Sequence, residues 1–362
     1  MISVKGDKRH RKLASVQYVH NITPIEGADA IETAHVLGWQ VVVKKNEFKV
    51  GDVGVYFEID SFLPIRPEFE FLRGSSYKKT ELMGEGFRLR TARMRGQLSQ
   101  GLLLPMSILP EKEDGSSYVI GEDVTDVLGV RKFEIEERAS VSGTIIGEMP
   151  YNIPKTDELR IQSFPELIDE IAEKPYYITT KMDGSSVTMY YVDGKFGCCT
   201  RNFELKDGDD STVWKFAHEK NLPEKFEEYA ARKGTDRFVL QGEFCAPGIQ
   251  KNRLNLTKPN WYVFNKLAWD DENLQWRMTG FDDIVGATVN LGVDMVPIEE
   301  AGPDFNYKSV DELLVRAEGK YSSGKQKEGI VIRPLESTYS PTTGSWLSMK
   351  AINNRYLLKG GN

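Results

Sequence analysis

The sequence predicts two domains in succession: a small all-β barrel, then an α+β domain whose strands run mostly antiparallel. Three observations predict this. At 362 residues the chain is long enough for two cores. From about Leu13 to Met106, β-branched and aromatic runs alternate with turn residues. Beyond about Thr156, apolar residues at helical spacing alternate with short strand-like runs.

In the first half the expected strands are Ser15 to His20, Ile31 to Val43, Val53 to Ile59, Phe87 to Met94 and Leu102 to Met106. Glu26-Gly27, Gly51-Asp52 and Arg73-Gly74 separate them as turn signals. About five strands in roughly a hundred residues suit the five-stranded OB-fold, with an SH3-like barrel as the alternative. Pro110 to Ser142 turns acidic and rich in turn formers, which places a first domain at residues 1–135, a linker at 136–155 and a second domain at 156–362.

In the second half, Ser163 followed by Pro165-Glu166 reads as a helix start whose Leu167, Ile168 and Ile171 share a face. Val213, Phe216 and Ala217, then Phe226, Tyr229 and Ala230, predict two helices divided near Asn221-Leu222-Pro223. Ser309 and Glu312 have capping-box spacing before Leu313 and Leu314. The expected strands are Tyr177 to Lys181, a hairpin from Val187 to Cys199 turning at Asp193-Gly194, Arg237 to Phe244, Trp261 to Trp269, Gly329 to Arg333 and Ser345 to Ile352.

Composition narrows the chemistry. No apolar run reaches membrane-spanning length, and the basic stretch Lys5, Lys8, Arg9, Arg11, Lys12 is not followed by a signal core, so a cytoplasmic protein is expected. Three cysteines, Cys198, Cys199 and Cys245, suit neither a disulfide framework nor a zinc site. The four histidines lack metal-ligand spacing, so any metal is expected on oxygen ligands. A net charge of -7 excludes a uniformly basic surface but permits local basic patches. Arg88, Arg90, Arg93 and Arg95, interleaved with Leu89, Thr91 and Met94, form one such candidate patch.

The chemical centre is expected at Lys181-Met182-Asp183-Gly184. On a pleated strand Lys181 and Asp183 share a face, and Gly184 clears space where the backbone turns or meets a ligand. A Lys-x-Asp-Gly match arises by chance about one time in ten in a chain of this length, so its company decides. That company is Glu243 at the end of a strand, Glu328 at the start of another, and Lys350 near the C-terminus. Together they offer an amine nucleophile, carboxylates that suit Mg²⁺ or Mn²⁺, and a second cation.

In this order the residues resemble the covalent nucleotidyltransferases, the superfamily of polynucleotide ligases and RNA-capping enzymes. Lys181-Met182-Asp183-Gly184 is similar to motif I, Glu243 to motif III, Val263-Phe264-Asn265-Lys266 to motif IIIa, Glu328-Gly329 to motif IV and Lys350 to motif V. A leading barrel, and only twelve residues after Lys350, resemble the Deinococcus-type ATP-dependent RNA ligases with an N-terminal OB domain rather than DNA ligases or capping guanylyltransferases. The resemblance implies ATP as substrate, lysyl-AMP on Lys181, phosphate contact by Lys350, and Mg²⁺ or Mn²⁺ held by Asp183, Glu243 and Glu328, with a ribose contact as the alternative for Glu243. It also implies Phe264 stacked on adenine and Arg160 and Arg201 on sugar or phosphate. A monomer that joins RNA ends, such as a nick with a 3'-OH RNA strand, in RNA repair is expected. Lys44, Lys45, Arg88, Arg90, Arg93 and Arg95 are the expected backbone-phosphate contacts of the OB domain. One position departs from the pattern: Ser348 stands where the family usually has the first of two motif V lysines. An inactive nucleotidyltransferase serving as a nucleic-acid-binding module is the alternative that this departure supports.

Overall fold

In the computed structural model, residues 11–134 and 143–359 are described. The basic residues Lys5, Lys8 and Arg9 and positions 136–142 of the expected linker lie outside them. Three short antiparallel sheets and a hairpin make up the N-terminal unit. Ala14–Tyr18 and Leu102–Pro105 flank Val53–Phe57; Ser61–Leu63 lies between Arg131–Lys132 and Gly84–Arg88, and Gly84–Arg88 pairs on its other side with Tyr77–Thr80; and Asn21–Pro24, Ile31–Val36 and Trp39–Lys44 form a meander. Its core divides into one cluster around Val16, Val55, Phe57, Phe69 and Phe87, and another around Trp39, Val41, Tyr56 and Leu103. Burying each such side chain contributes about 1.5–3 kcal/mol.

Three strands expected to be continuous are broken, one of them Ser345 to Ile352, which is two strands in different sheets, Ser345–Trp346 and Met349–Ile352, separated at Leu347-Ser348. Ile31 to Val43 is a hairpin turning at Leu37-Gly38, with Leu37 at φ 51°. A leucine in the left-handed region has no local sequence signature, because Gly and Asn are its usual occupants. Phe87 to Met94 is likewise two strands, Gly84–Arg88 and Ala92–Met94, in different sheets. The four interleaved arginines therefore do not share one strand face.

Seven strands of the second unit carry the site: β1 (Leu159–Arg160), β2 (Tyr176–Lys181), β3 (Ser185–Val192), β4 (Arg237–Cys245), β5 (Asn260–Asp270), β6 (Gly329–Pro334) and β7 (Met349–Ile352). One sheet has the order β1-β7-β6-β2, closed by Ile298–Gly302; the larger contains β3, β4 and β5. Pairing is antiparallel except for β1 with β7 and Asp294–Met295 with β5. The hairpin predicted at Asp193-Gly194 is present, both residues having positive φ. Helices Thr212–Glu219, Leu222–Lys233 and Phe281–Leu291 pack on the larger sheet in a core with Val187, Phe238, Leu240 and Trp261. Ile178, Ile330, Ile332, Met349 and Ala351 form the core behind the smaller one. Between β2 and β3 only Met182-Asp183-Gly184 intervenes, so the chain passes from one sheet to the other at the proposed nucleophile.

Part of the expected linker is sheet instead. Ile145–Glu148 pairs with Phe203–Leu205, Ile153 is buried, and the Tyr151 carbonyl accepts a hydrogen bond of 2.8 Å from Trp276 Nε1. The two units meet directly: the Gly38 N–H donates to the Gln162 carbonyl at 2.8 Å, and Arg160 pairs with Asp60 at 3.1 Å.

Candidate active site

Lys181 ends β2, where pairing sets it opposite Gly329, the residue after Glu328. Its Nζ lies 2.8 Å from Glu328 Oε1. Glycine is required at Gly329 by close approach, since a Cβ there would sit 2.2 Å from the Ala351 carbonyl. Gly184 is equally confined, its hypothetical Cβ 2.5 Å from the Phe244 carbonyl, and its N–H donates to Glu243 Oε1 at 3.0 Å. Tyr321 ties Lys181 to the segment that bears Glu328: its hydroxyl donates to the Lys181 carbonyl at 2.8 Å and accepts from the Glu328 N–H at 3.0 Å.

Charge is arranged around these contacts. Burial pulls the Lys181 ammonium down, but Glu328 and Glu243 outweigh it and the net shift is upward. Lys181 therefore stands protonated and ion-paired here, whereas attack requires its neutral form. Lys350 behaves oppositely. Burial, Lys181 and Arg160 push it down to about 7. Burial and the Glu328 charge lift Glu243 to about 7 against the opposing pull of Lys181.

Asp183 is held at both oxygens. The Tyr356 hydroxyl, on the C-terminal helix Asn354–Leu358, donates to Oδ1 at 3.0 Å, and Arg253 Nε lies 2.8 Å from Oδ2. The Arg253 guanidinium also sits 4.6 Å from the centre of the Tyr356 ring. Among the described residues no group of three or more His, Cys, Asp or Glu side chains is close enough to hold a metal ion by itself. The chemistry of Asp183, Glu243 and Glu328 nonetheless fits a hydrated divalent cation: two of the carboxyl groups, Asp183 and Glu243, are raised above the ordinary range by burial and by the Glu328 charge, a repulsion that positive charge relieves.

Phe264 lies where the β4–β5 register shifts, between Asn265 and Val263. It packs, partly buried, on the cluster of Met182, Cys245, Val296 and Tyr321, so it has the parity that faces the Lys181 segment. Arg160 pairs in register with Lys350 but turns its guanidinium to Asp60 of the N-terminal unit. Arg201 pairs with Asp157. Among the expected RNA contacts, Lys44, Lys45, Arg90, Arg93 and Arg95 are exposed. Arg88 departs from that expectation: it is 9% exposed, stacked 4.2 Å over Phe133 and 3.7 Å from Asp60, because it pairs with Phe62 on a face of its sheet that Phe133 covers. Tyr321, Tyr356, Arg253 and Arg333 were not foreseen. For Arg333 the period of two from Gly329 through Val331 was a usable signal; the others come together only through tertiary contacts.

A family model described as an OB-fold domain matches residues 13–106, and one described as RNA ligase matches residues 174–352. A comparison with curated proteins finds no match. Among solved structures the chain is similar to Naegleria gruberi RNA ligase as an aspartate-to-alanine mutant in the apo state, at 36% identity, TM-score 0.84, 97% of this chain and 98% of that one. It is similar also to a lysine-to-alanine mutant of that ligase with ATP and Mn, at 35% identity, TM-score 0.85, 97% and 99%, and to that ligase with PPi, at 36% identity, TM-score 0.83, 97% and 99%. No helix among the described residues is long and apolar enough to cross a membrane.

Proposed function

The chain belongs to the RNA ligase family, and on that premise we propose that its ATP-dependent joining of RNA runs through a covalent lysyl-AMP at Lys181. The observation that carries this reading is the placing of two lysines, Lys181 and Lys350, on one sheet face with a carboxylate in contact with the first. Lys181 touches Glu328, and Lys350 on β7 pairs with Val331 two residues beyond Gly329.

In the first step the Lys181 Nζ lone pair attacks the α-phosphorus of ATP. The bond to the β-phosphate oxygen breaks, and its electron pair leaves with pyrophosphate. Glu328 Oε1, 2.8 Å away, is the acceptor in reach for the lysine proton. Lys350 and Arg160, side by side across β7 and β1, lower the cost of the negative charge that builds on the phosphate oxygens. In the second step an oxygen of the RNA 5'-phosphate attacks the same phosphorus, and the P–N bond electrons return to Lys181. In the third step a 3'-hydroxyl attacks the activated 5'-phosphorus and AMP departs. Phe264 stacks on the adenine, and Arg201 contacts sugar or phosphate. Asp183, Glu243 and Glu328 would hold Mg²⁺ or Mn²⁺, and the ion when bound would neutralise charge on the phosphates. Lys44, Lys45, Arg90, Arg93 and Arg95 of the OB domain contact the nucleic-acid backbone. The substrate class is RNA or a nicked duplex with a 3'-OH RNA end, joined by a monomer in RNA repair.

The test is sealing of nicked duplexes with ATP and Mn²⁺ or Mg²⁺. The expected result is sealing of RNA 3'-ends in preference to DNA ends. Lys181→Ala should lose sealing from ATP while still joining a nick whose 5'-end carries AMP beforehand. Sealing from ATP by Lys181→Ala would remove the proposed nucleophile.

A further inference from the structure

The position where a second motif V lysine is expected is Ser348, which is 2% exposed, and a neighbouring cation fills the space beside it. Arg333, at 4% exposure, is on β6, and the β6–β7 register that sets Val331 opposite Lys350 and Ile332 opposite Met349 brings it to Ser348. Its Nε donates to Ser348 Oγ at 2.8 Å. One terminal nitrogen donates to the Phe264 carbonyl at 2.6 Å, and the other to Glu158 Oε1 at 2.5 Å. Side chains alternate along a strand, so Arg333 shares with Val331 the face opposite the core residues Ile330 and Ile332, and Ser348 shares that face with Lys350.

We propose that Arg333 is the positioning residue that replaces the missing motif V lysine, delivering from β6 the cation that position 348 lacks. A planar guanidinium can satisfy three acceptors in fixed directions, which an ammonium on a flexible stem does not do. Arg333 thus joins three segments of the nucleotide pocket: the Phe264 backbone on β5, the strand that bears Lys350, and Glu158 beside Arg160. It acts through these groups rather than by touching the reacting atoms. A lysine introduced at 348 would bring its ammonium into the guanidinium's space and set like charges together.

This inference rests on the lysyl-AMP reading, and the experiment separates the two. Transfer of AMP from labelled ATP to the protein is followed against ATP concentration for the wild type, Arg333→Gln, Ser348→Lys and the double variant, with thermal melting of each. Arg333→Gln should label roughly tenfold or more slowly at subsaturating ATP. Ser348→Lys, which retains Arg333, should also lose labelling. The double variant should regain it to within about threefold of wild type. A double variant no better than Arg333→Gln overturns the inference, and so does a Ser348→Lys protein as active as wild type. If Arg333→Gln does not fold, the Ser348→Lys measurement decides alone. Unlabelled wild type would instead remove the lysyl-AMP reading itself.

Discussion

Lys181 and Lys350 are two lysines of one sheet, on the strands that flank β6, yet their surroundings drive their protons in opposite directions. Glu328 and Glu243 outweigh burial at Lys181, whereas at Lys350 burial is reinforced by Lys181 and Arg160. The ligand-free protein should therefore show inverted amine reactivity. In competitive acylation at about pH 7.5, Lys350 should react ahead of Lys181, and Lys181 should gain reactivity only as pH climbs beyond the ordinary lysine value of about 10.4. Peptide mapping checks this, and faster modification of Lys181 near neutrality would contradict it. Asp183 depends on its neighbours in a different way. Tyr356→Phe removes the hydroxyl that donates to Oδ1 and should cost about 1–2 kcal/mol, with slower covalent labelling, as read by melting and a labelling time course. The Lys-Met-Asp-Gly run could be read directly because its chemistry is local. Tyr356 lies 173 residues from Asp183 and the pairing exists only in the folded chain.

At the level of elements, the capping signal at Ser309 and Glu312 was readable and is realised: Ser309 Oγ accepts from the Glu312 N–H at 3.3 Å, at the start of helix Val310–Arg316. Ser309→Ala should lower stability by about 1 kcal/mol in a denaturant titration while leaving AMP transfer unchanged. Loss of labelling without loss of stability would tie this helix to the site instead. Strand existence was also legible in the second unit, where β-branched runs adjoin Gly-Glu, Glu-Gly and Asp-Gly steps. Less legible were breaks made without Gly or Pro at the critical position, such as Leu37 at positive φ, and the register shift that settles which way Phe264 faces. Helices Phe281–Leu291 and Asn354–Leu358 were not anticipated; the first lies in an apolar stretch whose period is ambiguous, and the second is only five residues long.

Across the whole molecule, the OB domain and the ligase domain are joined at a buried charge cluster. Asp60 lies 3.1 Å from Arg160, 3.7 Å from Arg88 and 3.9 Å from Arg11, while Glu58 pairs with Arg11 at 2.6 Å and accepts from the Ser163 hydroxyl. Burial pushes the Asp60 carboxyl up, but Arg160, Arg11 and Arg88 outweigh it and hold it below the ordinary range. A depressed folded-state pKa gives stability that is complete above the unfolded value of about 3.9 and is lost as pH falls through the lower folded value. Asp60→Asn should therefore destabilise by about 3–5 kcal/mol near neutrality, leaving buried cations uncompensated. It should also flatten the acid limb of the melting-temperature profile, and an unchanged profile would show that the cluster contributes nothing. No sequence pattern announced this joint, since its charges come from residues about a hundred positions apart. The central claim about the molecule concerns Lys181, and its most direct measurement is peptide mapping by mass spectrometry after incubation with ATP and Mn²⁺. The account predicts one AMP adduct, on Lys181, that disappears when 5'-phosphorylated nicked RNA is added. An adduct on Lys350 or another residue, or RNA joining with no adduct at any stage, would contradict it.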